Sequence, residues 1–122
     1  MKGLRGATTI AANTESEIKE AVLELWDTII QYNDFKNEDI VSLIFTCTED
    51  IDAAYPGKYV RLERGVDSSS IIHFNEMKVV GSLKLCIRIL LQLDVDKNTK
   101  LVPVYLRGAK VLRPDLKLPE KN

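Results

Sequence analysis

Four charged side chains stand where the local pattern gives no reason for a charge. Arg5 lies between Gly3 and Gly6, Glu76 ends an apolar run, Arg88 sits in mid-run, and Arg113 precedes Pro114. Arginine presents a planar, permanently charged fork that suits carboxylates. Two or three converging forks can hold a small dianion if a nearby carboxylate offsets their repulsion. Together the four would form an anion site with Glu76 as the balancing group. Singly, Arg5, Glu76 and Arg113 fit ordinary ion pairs at least as well. For Arg88 the two readings balance, because a long cation in mid-strand is far from the fraying ends where it would escape into water.

Nucleophilic chemistry finds little support. The single histidine, His73, has no local Ser or Cys partner, and Cys86 stands two residues from Arg88 on the same face of a period-two run. Cys47 and Cys86 read as buried small hydrophobes, Trp26 as core, and His73 as a hydrogen-bonded strand histidine or a polar site group. The GLRGA stretch at 3–7 is too short for a dinucleotide fingerprint and runs into a strand rather than a helix.

Whatever these residues do, they must be placed by one small domain. The chain has 122 residues, 45% of them apolar and 29% charged, with 17 Lys+Arg against 18 Asp+Glu for a net charge of −1. That balance argues against nucleic acid or an anionic membrane as partner. No stretch approaches the roughly 20 apolar residues of a membrane span, and the N-terminus lacks the apolar core of a secretory signal. The two cysteines show neither CxxC nor CxxH spacing, so a disulfide scaffold or a familiar zinc module is not expected, and a reducing cytoplasm is the expected compartment. A domain of this size buries only about 65% of its unfolded-chain surface, so self-association would add useful burial.

The pattern predicts a strand over 3–12. A helix over 14–32 follows, started by the Thr14-Glu15-Ser16-Glu17 capping box and carried by Ile18, Val22, Leu25 and Ile29 at helical spacing. Residues 39–47 form a nearly continuous apolar run, expected to be a strand covered on both faces. Pro56 fits the first turn of a short helix through Arg61, with Ser68, Ser69 and Ser70 closing it, and Ile71–Glu76 reads as another strand. Strict alternation over 83–95 predicts a long strand whose apolar face is Leu83, Leu85, Ile87, Ile89, Leu91, Leu93 and Val95. Leu101–Leu112 is expected to be a last strand or strand pair, edged at Pro103 and kinked at Gly108, with a polar tail loosely held over 115–122.

The order of these segments resembles a known family. GLRGATT at 3–9, YPGKYVR at 55–61, NEMKVVGSLKLCIR at 75–88, and VYL then VLRPDL within 104–116 are similar to the monofunctional chorismate mutases of the trimeric AroH class, nearly end to end. The resemblance implies an α+β or α/β fold: a mixed sheet with helices outside, three copies forming a pseudo-α/β-barrel homotrimer with clefts at the subunit interfaces. It implies the Claisen rearrangement of chorismate to prephenate, on the route to phenylalanine and tyrosine, with no cofactor and no metal. Arg5, Glu76, Arg88 and Tyr105 match the family's polar active-site set. Tyr55, Lys58, Arg61 and Arg113 match residues that line or close the cleft, with Gly57, Ile72, His73 and Leu112 as further substrate-binding positions. This sequence departs from the family pattern at His73, where cysteine is usual, at Tyr55 for phenylalanine and at Gly57 for alanine. These changes put the partner of Glu76 and the pH optimum in question. An imine- or enamine-hydrolysing trimer and a non-catalytic small-anion sensor of similar architecture are the competing readings.

Overall fold

The computed structural model describes residues 1–67 and 70–119. β1 (Lys2–Thr9) leads into α1 (Glu15–Tyr32), β2 (Ile40–Cys47), α2 (Pro56–Arg64), β3 (Ser70–Asn75), β4 (Cys86–Leu93) and the two-residue β5 (Val104–Tyr105), with short 3-10 segments at Asn37–Asp39 and Arg107–Leu112. The strands form one mixed sheet in the order β3-β2-β4-β1-β5. β4 runs antiparallel to both β1 and β2, whereas β3 and β5 join parallel at the two edges. β1, α1 and β2 form a crossover unit, with β4 inserted between its two strands.

Side-chain alternation sorts the sheet into two faces. Register aligns Leu4 and Leu43 with Leu91, and Gly6 and Phe45 with Ile89, so these residues share a face. α1 packs onto that face with Ile18, Val22, Leu25, Trp26 and Ile29, all buried. A Cβ on Gly6 would lie 3.2 Å from Ile29 Cδ1 and 3.1 Å from the Val104 carbonyl oxygen, so glycine here lets helix and neighbouring strand close on β1. α2 packs on the same face, and Arg64 clamps it to α1 by a bidentate pair with Asp27, both contacts at 2.8 Å. The opposite face, with Arg5, Ser42, Ile44, Thr46, Ile72, Phe74, Arg88 and Leu90, has no helix over it among the described residues. The expected covering of β2 on both faces is therefore met on one face only.

Local chemistry sets the element ends. Thr14 Oγ1 accepts the Glu17 N–H at 3.2 Å and caps α1. At the far end of α1 the buried Asn33 side chain donates to the Ile29 and Val102 carbonyls and accepts the Val102 N–H, which tethers the chain just before β5. Gly65, at φ 68°, terminates α2, a position only glycine takes without strain. It does the closing expected of the serine run, of which Ser68 and Ser69 lie outside the described residues and Ser70 opens β3.

Three expected strands are shorter than their patterns, and the first, β1, ends at Thr9 rather than at residue 12. β4 starts at Cys86 because Leu85 has φ 49°, held there by its N–H donating to both Asp50 carboxylate oxygens at 3.0 and 3.2 Å, which breaks the pleat. Leu83 and Leu85 therefore lie outside the ladder. The segment after Pro103 pairs only through Val104 and Tyr105. Arg107, at φ 51°, turns the chain into a 3-10 segment, with its guanidinium on Glu24 and the Thr9 carbonyl. Part of the tail is held: the Leu116 N–H donates to the Arg113 carbonyl and Leu118 packs against the core, while 120–122 lie outside the described residues.

Candidate active site

Period-two geometry brings three of the singled-out side chains to the helix-free face from adjacent strands. Arg88 of β4 stands opposite Ala7 of β1 and Thr46 of β2, Arg5 stands opposite Leu90, and Tyr105 of β5 aligns with Ala7. Glu76 joins them from just beyond β3. Its N–H donates to the Cys47 carbonyl at 2.8 Å, and its Oε2 accepts from Thr46 Oγ1 at 2.6 Å and faces Arg88 Nε at 3.3 Å. These groups border a cleft of about 210 Å³, floored by Gly6, Ile44 and Leu90. The Arg88 side chain is 46% exposed and that of Glu76 25%, so the pair is worth little as a stabilising contact. What it does is fix a guanidinium beside a carboxylate over an apolar floor.

A second cluster forms where α2 meets the sheet edge. Tyr55 precedes the helix in extended conformation without a side-chain cap, and Pro56 fills the first helical position. The Gly57 N–H donates to His73 Nε2 at 3.0 Å. The imidazole stacks on Phe45, centroids 5.3 Å apart and planes within 16°, and Tyr55 leans on it at 5.0 Å. Lys58 and Arg61 project from the first turns of α2 into solvent, and the cluster borders an open cleft of about 420 Å³. Burial lowers the His73 pKa below the ordinary 6.5.

The two clusters do not share a cleft. His73 aligns with Phe45 on the helix-covered face, whereas Arg88, Thr46 and Ile72 belong to the other. The partner of Glu76 is thus Thr46 together with Arg88, and His73 is engaged with Gly57. Arg113 does not converge with Arg5, Glu76 and Arg88 as its sequence position suggested. It follows the 3-10 segment instead of a strand, and Asp115 takes its guanidinium bidentately at 2.9 and 3.1 Å, which raises the Arg113 pKa. Leu112 sits beside it at the end of that segment.

Thr46 is the site residue that sequence reasoning missed. Its signal is a hydroxyl at an alternate position of an apolar run, which acquires meaning only once the register sets it opposite Arg88. The thiols stay protonated at neutral pH: burial, and then the neighbouring Cys86 and Glu76, push Cys47 up to about 12, and burial raises Cys86 against the opposing pull of Arg88. No cluster of three or more His, Cys, Asp or Glu poised to hold a metal occurs among the described residues.

The mixed sheet with its helices is an architecture this chain shares with a known class. The sequence pattern of chorismate mutase type I matches residues 1–116, and the chain belongs to that family. Chorismate mutase AroH of Bacillus subtilis is 39% identical over 123 residues, spanning 100% of this chain and 97% of that protein. Chorismate mutase AroH of Thermus thermophilus is 35% identical over 118 residues, spanning 95% and 96%. A solved chorismate mutase from Clostridium thermocellum superposes with a TM-score of 0.85 at 40% identity, covering 91% of this chain and 99% of that one. These likenesses favour neither the imine-hydrolysing nor the sensor reading.

Proposed function

We propose that this chain is a chorismate mutase, an isomerase converting chorismate to prephenate on the route to phenylalanine and tyrosine, and that it works as a cytoplasmic homotrimer. The observation that carries the chemistry is Arg88 held by β4 over an apolar floor, with Glu76 at 3.3 Å. In a Claisen rearrangement the allylic C–O bond of the ether breaks while a C–C bond forms, with no proton transfer and no covalent intermediate. Nucleophiles and general bases are not required. As the C–O bond stretches, negative charge grows on the ether oxygen and positive charge on the ring, so a fixed cation beside that oxygen binds the transition state better than the ground state.

In this reading Arg88 donates to the ether oxygen, Arg5 and Tyr105 hold the side-chain carboxylate, and Glu76 accepts the ring hydroxyl's proton in a hydrogen bond while balancing the cationic ring. Holding the enolpyruvyl arm folded onto the ring supplies the rest of the acceleration. A neighbouring subunit then contributes Tyr55, Gly57, Lys58, Arg61 and Ile72, with His73 behind Gly57, and Leu112 and Arg113 close the opening. Two features support the assembly. The 210 Å³ cleft is smaller than the roughly 300–1,000 Å³ usual for a small-ligand site, as expected of a half-site. Ile72 and Phe74 are also half-exposed on the face that lacks a helix.

The test is direct. Purified protein mixed with chorismate should consume the ultraviolet absorbance of the substrate and yield prephenate, and no loss of signal at micromolar enzyme would reject the assignment. Arg88→Ala should lower kcat by at least the roughly 10² to 10³ typical of losing one oxyanion donor, and Arg88→Lys should restore little if fork geometry matters. Sedimentation of the same protein reports the trimer.

A further inference from the structure

We infer that His73 is a positioning residue that caps α2 from outside the helix, and that protonating it releases the end of α2 carrying Lys58 and Arg61, so that substrate capture weakens in acid. The inference rests on the proposed function for its kinetic part and on geometry alone for its capping part.

The first N–H groups of a helix have no partner within it, and α2 is poorly supplied with substitutes. Tyr55 gives no side-chain cap, Pro56 has no N–H, and the Lys58 N–H reaches the Tyr55 carbonyl at 3.2 Å. The Gly57 N–H is met from the sheet by His73 Nε2 at 3.0 Å. Because the amide is a donor, Nε2 must carry the lone pair, and the neutral ring holds its proton on Nδ1. A second proton would set N–H against N–H at the positive end of the helix dipole, which the bond cannot survive. Stacked on Phe45 and met by a tilted Tyr55 at 5.0 Å, the ring has limited freedom to turn away. Gly57 is fitted to this partner: a Cβ there would come within 2.9 Å of His73 Nε2 and 2.7 Å of Ile71 Cγ2.

The charged and titratable groups around the ring are known from every side. Lys58, Arg61 and Tyr55 come from α2 and its start, Glu15 from the first turn of α1, Asp52 from the loop before α2, and Cys47 from β2. Lys58 and Arg61 oppose a charge on the imidazole, Glu15 and Asp52 favour one, and the Cys47 thiol is neutral. Burial supports the neutral ring.

Since His73 is the single histidine, its Cε1–H signal identifies itself. The experiment follows that signal and the Gly57 amide by NMR from pH 8 to 5, and measures kcat and KM for chorismate over the same range in the parent, His73→Gln and His73→Ala. Gln offers an acceptor oxygen near the Nε2 position that does not titrate. The expected result has four parts. The Gly57 amide shifts with the imidazole midpoint. KM in the parent rises about three- to tenfold through that midpoint, with kcat changing much less. His73→Ala raises KM at all pH values, and His73→Gln restores it toward the parent while removing the acid rise. A Gly57 amide that ignores the titration, or an acid rise that persists in His73→Gln, overturns the inference. An amide that responds while KM stays flat overturns the positioning role. Absence of any chorismate turnover refutes the proposed function, and the amide titration of the parent then still decides the cap.

Discussion

Thr46→Val removes the donor that holds Glu76 and changes almost nothing else. Valine keeps the β-branched shape that suits mid-strand β2, so the cost in unfolding free energy should be confined to that one bond, at most about 1.5 kcal/mol. The lost bond is short, 2.6 Å, and its acceptor is a carboxylate. Hydrogen bonds to charged groups contribute about 1.5–3 kcal/mol. Glu76 is a quarter exposed and keeps Arg88 at 3.3 Å, so water and the guanidinium recover part of the loss and the lower end applies. About 1.5 kcal/mol corresponds to roughly a tenfold fall in kcat/KM. Thr46→Ser, which keeps the hydroxyl, should stay within about twofold of the parent. The assay is the steady-state loss of chorismate absorbance, paired with a urea unfolding curve for each variant. A Val variant as active as the parent, or Ser and Val variants equally impaired at equal stability, would refute the idea that Thr46 orients Glu76.

Asp27→Ala should cost about 0.2–1 kcal/mol, read as a drop of a few degrees in Tm at pH 7, because it unclamps α1 from α2 at a largely exposed pair. The Asp27 carboxyl is held below its ordinary 3.8 by the hydrogen bond from Arg64, so this contribution is present above that value and lost as pH falls below it. The Tm gap between parent and variant should therefore narrow as pH falls below 3.8. His73 titrates below its ordinary 6.5, so the native state takes up its proton less readily than the unfolded chain. Stability should fall as pH drops below about 6.5, and His73→Gln should flatten that part of a Tm-against-pH curve. Cys47, with its thiol pushed up to about 12, should resist alkylation at pH 8 in the native protein and react in denaturant, as mass spectrometry would show.

The elements were legible wherever a single period governed the segment. Thr14 and the Ile18 stripe gave α1 to within one residue, Pro56 marked the start of α2, and alternation gave the faces of β4. The failures share a cause: a distant partner overrides a local pattern. Leu83 and Leu85 continue the alternation of β4, yet Asp50, 35 residues upstream of Leu85, captures its N–H and ends the ladder. Leu101–Leu112 is rich in strand formers, yet only Val104 and Tyr105 find a free edge on β1. At the site, Arg5, Glu76 and Arg88 could be grouped because each breaks its local pattern, whereas Tyr105 joined them only through motifs that match a family. The separation of His73 from Glu76, the capture of Arg113 by Asp115 and the role of Thr46 all depend on which face and which neighbour each residue has. No spacing along the chain encodes that.

The strand order also governs how the polypeptide can assemble as it leaves the ribosome. β1 and β2 never touch: residues 86–93 lie between them and supply the ladder for both. A nascent chain of 80 residues therefore holds three strands and two helices, and although β2 and β3 can pair, β1 has no strand to join it to them. Contacts of such long sequence separation slow folding and leave the early strands exposed until the last third of the chain is made. A fragment ending before Cys86 should remain unfolded, and the N-terminal half should acquire amide protection only together with β4.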